Sequence, residues 1–328
     1  MGCPAPMSHP PYHAPTWLPG GHAQTIYPLL IKPSSPAYRR ERWDTPDGDF
    51  IDLDWIDAAC DAPQSPLVVL FHGLEGNSSS PYASALMHAV RARGWRGVVP
   101  HFRGCSGELN RLPRGYHSGD SAEIDWILRR LRHDCPTLPL YVAGVSLGGN
   151  ALLKWLGEQE AAATAIVTAA ASISAPLDLT LCGHHLGRGF NRIYTANFLN
   201  TLKHRAIARL QSYPGLFDGR RVQRARNLYD FDNLVTAPLH GFRNTDDYWL
   251  RASAKPLLRG IRVPTLLLHA LNDPFLPVCA LPSAKEISAL VRAEFPAGGG
   301  HVGFVSGSFP GHLEWMPQRL LHFFDASP

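Results

Sequence analysis

The stretch Leu140-Tyr141-Val142-Ala143-Gly144-Val145-Ser146-Leu147-Gly148-Gly149-Asn150-Ala151-Leu152-Leu153-Lys154-Trp155-Leu156 passes from an apolar run, through a glycine-flanked serine, straight into an apolar helical pattern. A strand-length apolar run joined directly to a helix is the repeating unit of a parallel sheet covered on both faces. The Gly-Val-Ser-Leu-Gly joint predicts a sharp strand-to-helix turn that strains the serine backbone and lifts its hydroxyl clear of the sheet. Gly144 and Gly148 are needed there because a side chain at either place would strike the turn's neighbours. Alone, the pentapeptide could be a Gly-rich turn with an incidental serine. The strand before it and the helix after it favour Ser146 as a nucleophile.

The alternation continues on both sides. Upstream lie polar strand-like segments near 40–45 and 50–56 joined by Asp47-Gly48, then Leu67-Val68-Val69-Leu70-Phe71, a helix opened by Ser80-Pro81 and closed at Gly94, a strand at 97–100 and a helix over 118–132. Ser118 or Asp120 reads as that helix's N-cap. Downstream, strands are expected at 165–173, 263–269 and 290–295, and a final helix over 312–324. The interval 177–260 breaks the rhythm; it is rich in His, Arg, Asn and aromatics, with helical stretches at 197–209 and 220–228. The expected fold class is α/β, a mostly parallel doubly wound sheet. An N-terminal arm (1–45) packs on a core formed by 46–176 and 261–328, and a helical cap is inserted at 177–260.

A serine hydroxyl attacks only when a base takes its proton. Of 16 histidines, the best placed is His301, in the loop Gly298-Gly299-Gly300-His301 after the last expected strand, because acid and histidine follow the serine in chain order around such an elbow. His312, the rival, reads more simply as the start of the final helix. Asp273, in Asn272-Asp273-Pro274 at the carboxyl end of the 263–269 strand, suits the acid that orients the imidazole, although the tripeptide could merely make a turn. Two backbone N–H groups should receive the developing oxyanion, those of Leu147 and Leu74; Leu74 lies in His72-Gly73-Leu74-Glu75-Gly76, where Gly73 lets the main chain approach a substrate. His72 shapes that loop, and Cys105 could line the pocket without reacting.

With 45% hydrophobic and 18% charged residues, the 328-residue chain can bury one large core. Its net charge of +4 comes from 31 basic and 27 acidic residues, which form no dense basic run, so no nucleic-acid partner is expected. The six cysteines form no CxxC pair and read as reduced thiols of a cytoplasmic protein. No signal peptide is expected at the N-terminus, Pro6 breaks a myristoylation motif at Gly2, and no apolar run reaches membrane-spanning length. His184-His185 lacks a third ligand at a useful spacing, so no metal and no cofactor are expected.

The sequence resembles the YheT-like family of α/β hydrolases (the AB hydrolase 4 group). The likeness is carried by Trp17-Leu18-Pro19-Gly20-Gly21-His22-Ala23-Gln24-Thr25, His72-Gly73-Leu74-Glu75-Gly76, His101-Phe102-Arg103-Gly104-Cys105-Ser106-Gly107, Tyr116-His117-Ser118-Gly119, the elbow, Asp247-Tyr248 and Asn272-Asp273. Trp249 departs from the family's usual Tyr. The resemblance implies the α/β-hydrolase fold, Ser146, Asp273 and His301 as triad, and hydrolysis of small-molecule or lipid-like carboxylic esters. Leu181, Phe190, Ile193, Tyr194, Phe198 and Trp249 of the cap are expected to wall a short or medium acyl group. Lipolysis or acyl transfer by the same triad is the alternative enzyme reading, and a fold that binds without turnover is the non-enzymatic one.

Overall fold

Strands β3 (Leu67–Phe71) and β5 (Leu140–Val145) run parallel at the centre of an eight-stranded sheet. The computed structural model describes residues 10–57 and 64–327; Gly2, Cys3, Pro6 and Cys60 lie outside them. Outward from the centre, β4 (Arg96–Pro100), β2 (Phe50–Ile56) and β1 (Arg39–Asp44) continue on one side. On the other lie β6 (Ala169–Ile173), β7 (Thr265–Leu268) and β8 (Val291–Glu294). The order is β1-β2-β4-β3-β5-β6-β7-β8, with β2 antiparallel to both of its neighbours, β1 and β4, and every other pair parallel.

Every residue of β3, β5 and β6 is buried, which is why these strands read as unbroken apolar runs. Alternation divides β3 between two cores. Leu67, Val69 and Phe71 pack with Ile124 and Leu128 of α3 (Ser121–Asp134) and Leu152 of α4 (Leu147–Gln159). Val68 and Leu70 pack on the other face with Leu86 of α2 (Pro81–Ala92) and Leu320 of the C-terminal helix (Trp315–Asp325). The charged β1 belongs to the sheet, so its edge starts at Arg39, inside the segment expected as arm. Arg40 and Arg42 pair across the ladder with Asp54 and Asp52, each at 2.7 Å from Nε to a carboxylate oxygen; an edge strand dressed in charge resists pairing with another chain.

Residues 177–260 contain α5 (Leu179–Leu186), the 21-residue α6 (Arg192–Ser212), α7 (Gly219–Arg224), α8 (Leu228–Phe231), α9 (Ala237–Leu239) and α10 (Thr245–Ala252), all between β6 and β7. A π-helical turn, Asp232–Thr236, joins α8 to α9. Asn150 of α4 fastens this block: its amide donates to Ser118 O and Ala252 O at 2.8 Å, and its carbonyl accepts from Ala254 N at 3.0 Å. Two expected helix starts differ. Asp120 sits at the N-cap position of α3, but its carboxylate goes to Arg114 at 2.6 Å instead of capping. His312 lies three residues before the final helix, in a bridge with Ser306.

Candidate active site

The chain leaves β3 towards β4 on one side and returns to β5 on the other, so a topological switch point falls between β3 and β5, where ligand crevices form in open sheets. Phe71 pairs with Gly144, which brings the loop at residues 72–76 beside Ser146. The later strands deliver Asp273 after β7 and His301 after β8.

Ser146 occupies φ 52° and ψ −118°, a region that side chains avoid. The turn is tight enough that a β-carbon at Gly144 would lie 2.6 Å from Gly148 O and one at Gly148 2.5 Å from Phe71 O. Ser146 Oγ lies 3.0 Å from His301 Nε2, and His301 Nδ1 lies 2.8 Å from Asp273 Oδ2. The other Asp273 oxygen accepts from Phe275 N at 2.8 Å, and the Phe275 ring stacks on the imidazole with centroids 4.1 Å apart.

Among the described residues the Leu147 N–H, at the first position of α4, and the Leu74 N–H have no hydrogen-bond acceptor. Their neighbours are held: Gly73 N donates to Tyr82 Oη and Glu75 N to Tyr116 Oη, both at 2.8 Å. A β-carbon at Gly73 would lie 3.2 Å from that of Ser146. His72 Nδ1 lies 2.8 Å from Gly73 O, and its Nε2 accepts from Phe102 N at 3.0 Å. Burial drives His72 down to about 3, so it is neutral at pH 7.

The histidine loop is gripped by an element that residue chemistry alone gave no part in the site. In α1 (Gly21–Ile26), Gln24 Oε1 accepts from Gly299 N and Thr25 Oγ1 from His301 N, both at 2.8 Å. Asn272 Oδ1 accepts from Gly300 N at 3.0 Å and Ser174 Oγ from Val302 N at 3.2 Å. A β-carbon on Gly21 would lie 1.9 Å from Asn272 O, so only glycine lets the arm come this close. The one signal for this in the sequence is the Gly20-Gly21-His22-Ala23-Gln24-Thr25 string inside a Pro-rich arm.

Over Ser146 and His301 opens a cavity walled mainly by Leu179, Leu186, Phe198, Leu202, Val235 and Trp249. Only part of the expected wall faces it. Phe198 and Trp249 do, Tyr194 does not, and Leu181, Phe190 and Ile193 are 40%, 52% and 59% exposed, because they project from the outer faces of their helices. Cys105 is buried behind Arg205, 3.0 Å from its Nη1, with its thiol pushed up to about 11 by burial. Among the described residues no cluster of three or more His, Cys, Asp and Glu could hold a metal, and no helix is long and apolar enough to cross a membrane.

The family model for the alpha/beta hydrolase fold matches residues 66–308. The chain is 40% identical over 304 residues to the Escherichia coli (strain K12) protein named "Putative esterase YheT", covering 91% of this chain and 88% of that one. The chain belongs to the YheT-like α/β hydrolases. It is also 30% identical over 326 residues to human phospholipase ABHD3, covering 96% of this chain and 78% of the relative. The solved esterase PF2001 of Pyrococcus furiosus superposes with a TM-score of 0.55 at 16% identity over 98% of both chains. EaEST, an esterase of Exiguobacterium antarcticum, gives 0.54 at 18% identity over 87% of this chain and 98% of that one. At such identities the two structures speak for the fold.

Proposed function

We propose that this α/β hydrolase is a carboxylic ester hydrolase working through an acyl-serine at Ser146. The observation that carries the reading is the unbroken line from Ser146 Oγ through His301 to the buried Asp273 carboxylate, at 3.0 and 2.8 Å. His301 Nε2 takes the hydroxyl proton as Oγ bonds to the ester carbonyl carbon, while Asp273 holds the imidazole and offsets its transient charge. The oxyanion is received by the Leu74 and Leu147 N–H groups. When the carbonyl re-forms, the bond to the alcohol breaks and His301 passes its proton to the leaving oxygen; water then repeats the sequence on the acyl-enzyme.

The helical block at 177–260 acts as a cap whose apolar inner face accepts a short or medium acyl chain. The names of the relatives, a phospholipase and a yeast monoacylglycerol lipase, favour glycerolipids as a second substrate class for the same triad. The four described cysteines, all free thiols, suit a cytoplasmic setting.

A fluorophosphonate probe and a panel of 4-nitrophenyl esters test the reading. Wild-type protein should be labelled and turn over acetate to octanoate esters, and Ser146→Ala should lose both. Equal labelling of the two proteins would remove Ser146 from the chemistry.

A further inference from the structure

We propose that the cavity holds an anion subsite built on Arg209, so that the preferred ester carries a carboxylate or phosphate besides its scissile bond; this rests on the serine-esterase reading above. Arg205 and Arg209 stand one turn apart on α6, and both line the cavity that reaches Ser146 and His301. Arg205 already has partners: its Nη1 is 3.2 Å from Glu75 Oε1 and 3.0 Å from Cys105 Sγ. Arg103, the third guanidinium of the lining, is held by Asp47, Asp49 and Glu123 at 2.9, 3.1 and 2.6 Å.

Arg209 differs. Among the described residues no carboxylate oxygen lies within 4.0 Å of its guanidinium and no acceptor takes a hydrogen bond from that group. Its head rests against two bare turns of main chain: a β-carbon at Gly115 would lie 3.4 Å from Nη1, and one at Gly104 3.8 Å from Nη2. Burial and the neighbouring Arg205 disfavour its charge, and the carboxylates of Asp49 and Glu75 offset only part of that, yet a guanidinium keeps its proton. An unpaired cation facing apolar walls is costly, and a ligand anion would relieve that cost. The planar fork matches a carboxylate or phosphate in two parallel hydrogen bonds. Glu75 Oε2, buried without a partner among the described residues, disfavours an anion at the oxyanion loop, and Glu75 Oε1 already occupies Arg205.

Two substrate pairs distinguish the sources of the anion. In one, a 4-nitrophenyl ester with an ω-carboxylate is set against its ω-methyl ester; in the other, a 1-acylglycerol 3-phosphate against the 1-acylglycerol. Wild-type protein should favour the anionic member of at least one pair in kcat/KM. Arg209→Gln should lower that anionic-to-neutral ratio about 10- to 100-fold, the effect of losing one charged hydrogen-bond partner, and Arg209→Lys should recover part of it. A wild-type ratio at or below one in both pairs overturns the subsite without any variant having to fold, and so does a ratio unmoved in Arg209→Gln. Either result leaves neutral-ester hydrolysis standing. Absence of all ester turnover and probe labelling in wild type would instead overturn the esterase reading beneath it.

Discussion

Ser146 is held at positive φ by neighbours that admit no side chain at positions 144 and 148, so its strain is imposed by the surrounding turn. In the proposed reaction its dependence on Asp273 follows from the hydrogen bond to His301 Nδ1. Asp273→Asn removes the negative charge that stabilises the imidazolium and favours the wrong tautomer. We expect kcat to fall by about 10⁴ with the fold intact, measured on the best 4-nitrophenyl ester; a drop of less than tenfold would assign the orienting acid elsewhere. The three residues of this line could be read in the sequence because residue type and chain order leave few choices. Gln24 and Thr25 could not. Each acts on a loop more than 270 positions away, and nothing local about a glutamine or threonine announces such a contact.

At the scale of elements, the central strands β3, β5 and β6 were legible because full burial makes them apolar on both faces, and Leu67–Phe71 is observed as it is read. The inserted helices were legible as helices, but their orientation was not. On α6 the inward stripe is Thr195, Phe198, Leu202, Arg205, Ala206 and Arg209, at the spacing of one helix face, while Ile193 points outward; the sequence does not say which stripe meets a partner. The grip of α1 on the histidine loop gives an element-level test. Thr25→Val removes the acceptor of His301 N and should lower kcat by about 10–100-fold, the effect expected of a displacement near 1 Å, with an unchanged circular dichroism spectrum. Unaltered kcat would make the arm a mere covering. The π-turn gives another. Burial raises the Asp232 carboxyl to about 6, against the hydrogen bonds donated by Thr236 and Trp249. Because the folded value exceeds the ~3.9 of an unfolded chain, the folded state retains a proton that the unfolded state releases. That stabilisation is complete below about pH 4 and is lost as pH rises through 6. Asp232→Asn is neutral throughout, so its Tm should gain on wild type between pH 4 and 7.5; a difference flat with pH would refute the assignment.

For the whole molecule, sheet and insertion divide the labour. On the proposed reading, the sheet's switch point places the reacting atoms, and the insertion decides what can lie over them. Substitutions in the two parts should therefore have separable effects. Ala206 is 1% exposed, lines the cavity from α6 and carries the smallest side chain of that stripe. Ala206→Phe projects a ring into space that the acyl chain would fill, leaving Ser146, His301 and Asp273 in place. Overpacking should cost about 1–3 kcal/mol of stability, read separately as a lowered Tm. On the ester panel, kcat/KM for octanoate should fall at least tenfold relative to acetate, since each methylene excluded from an apolar wall forfeits about 0.8 kcal/mol. If acetate and octanoate decline together, the acyl chain runs elsewhere and the cap serves the alcohol; the Arg209 subsite would then recognise an anion on the leaving group, and the acylglycerol phosphate pair should respond before the ω-carboxylate pair.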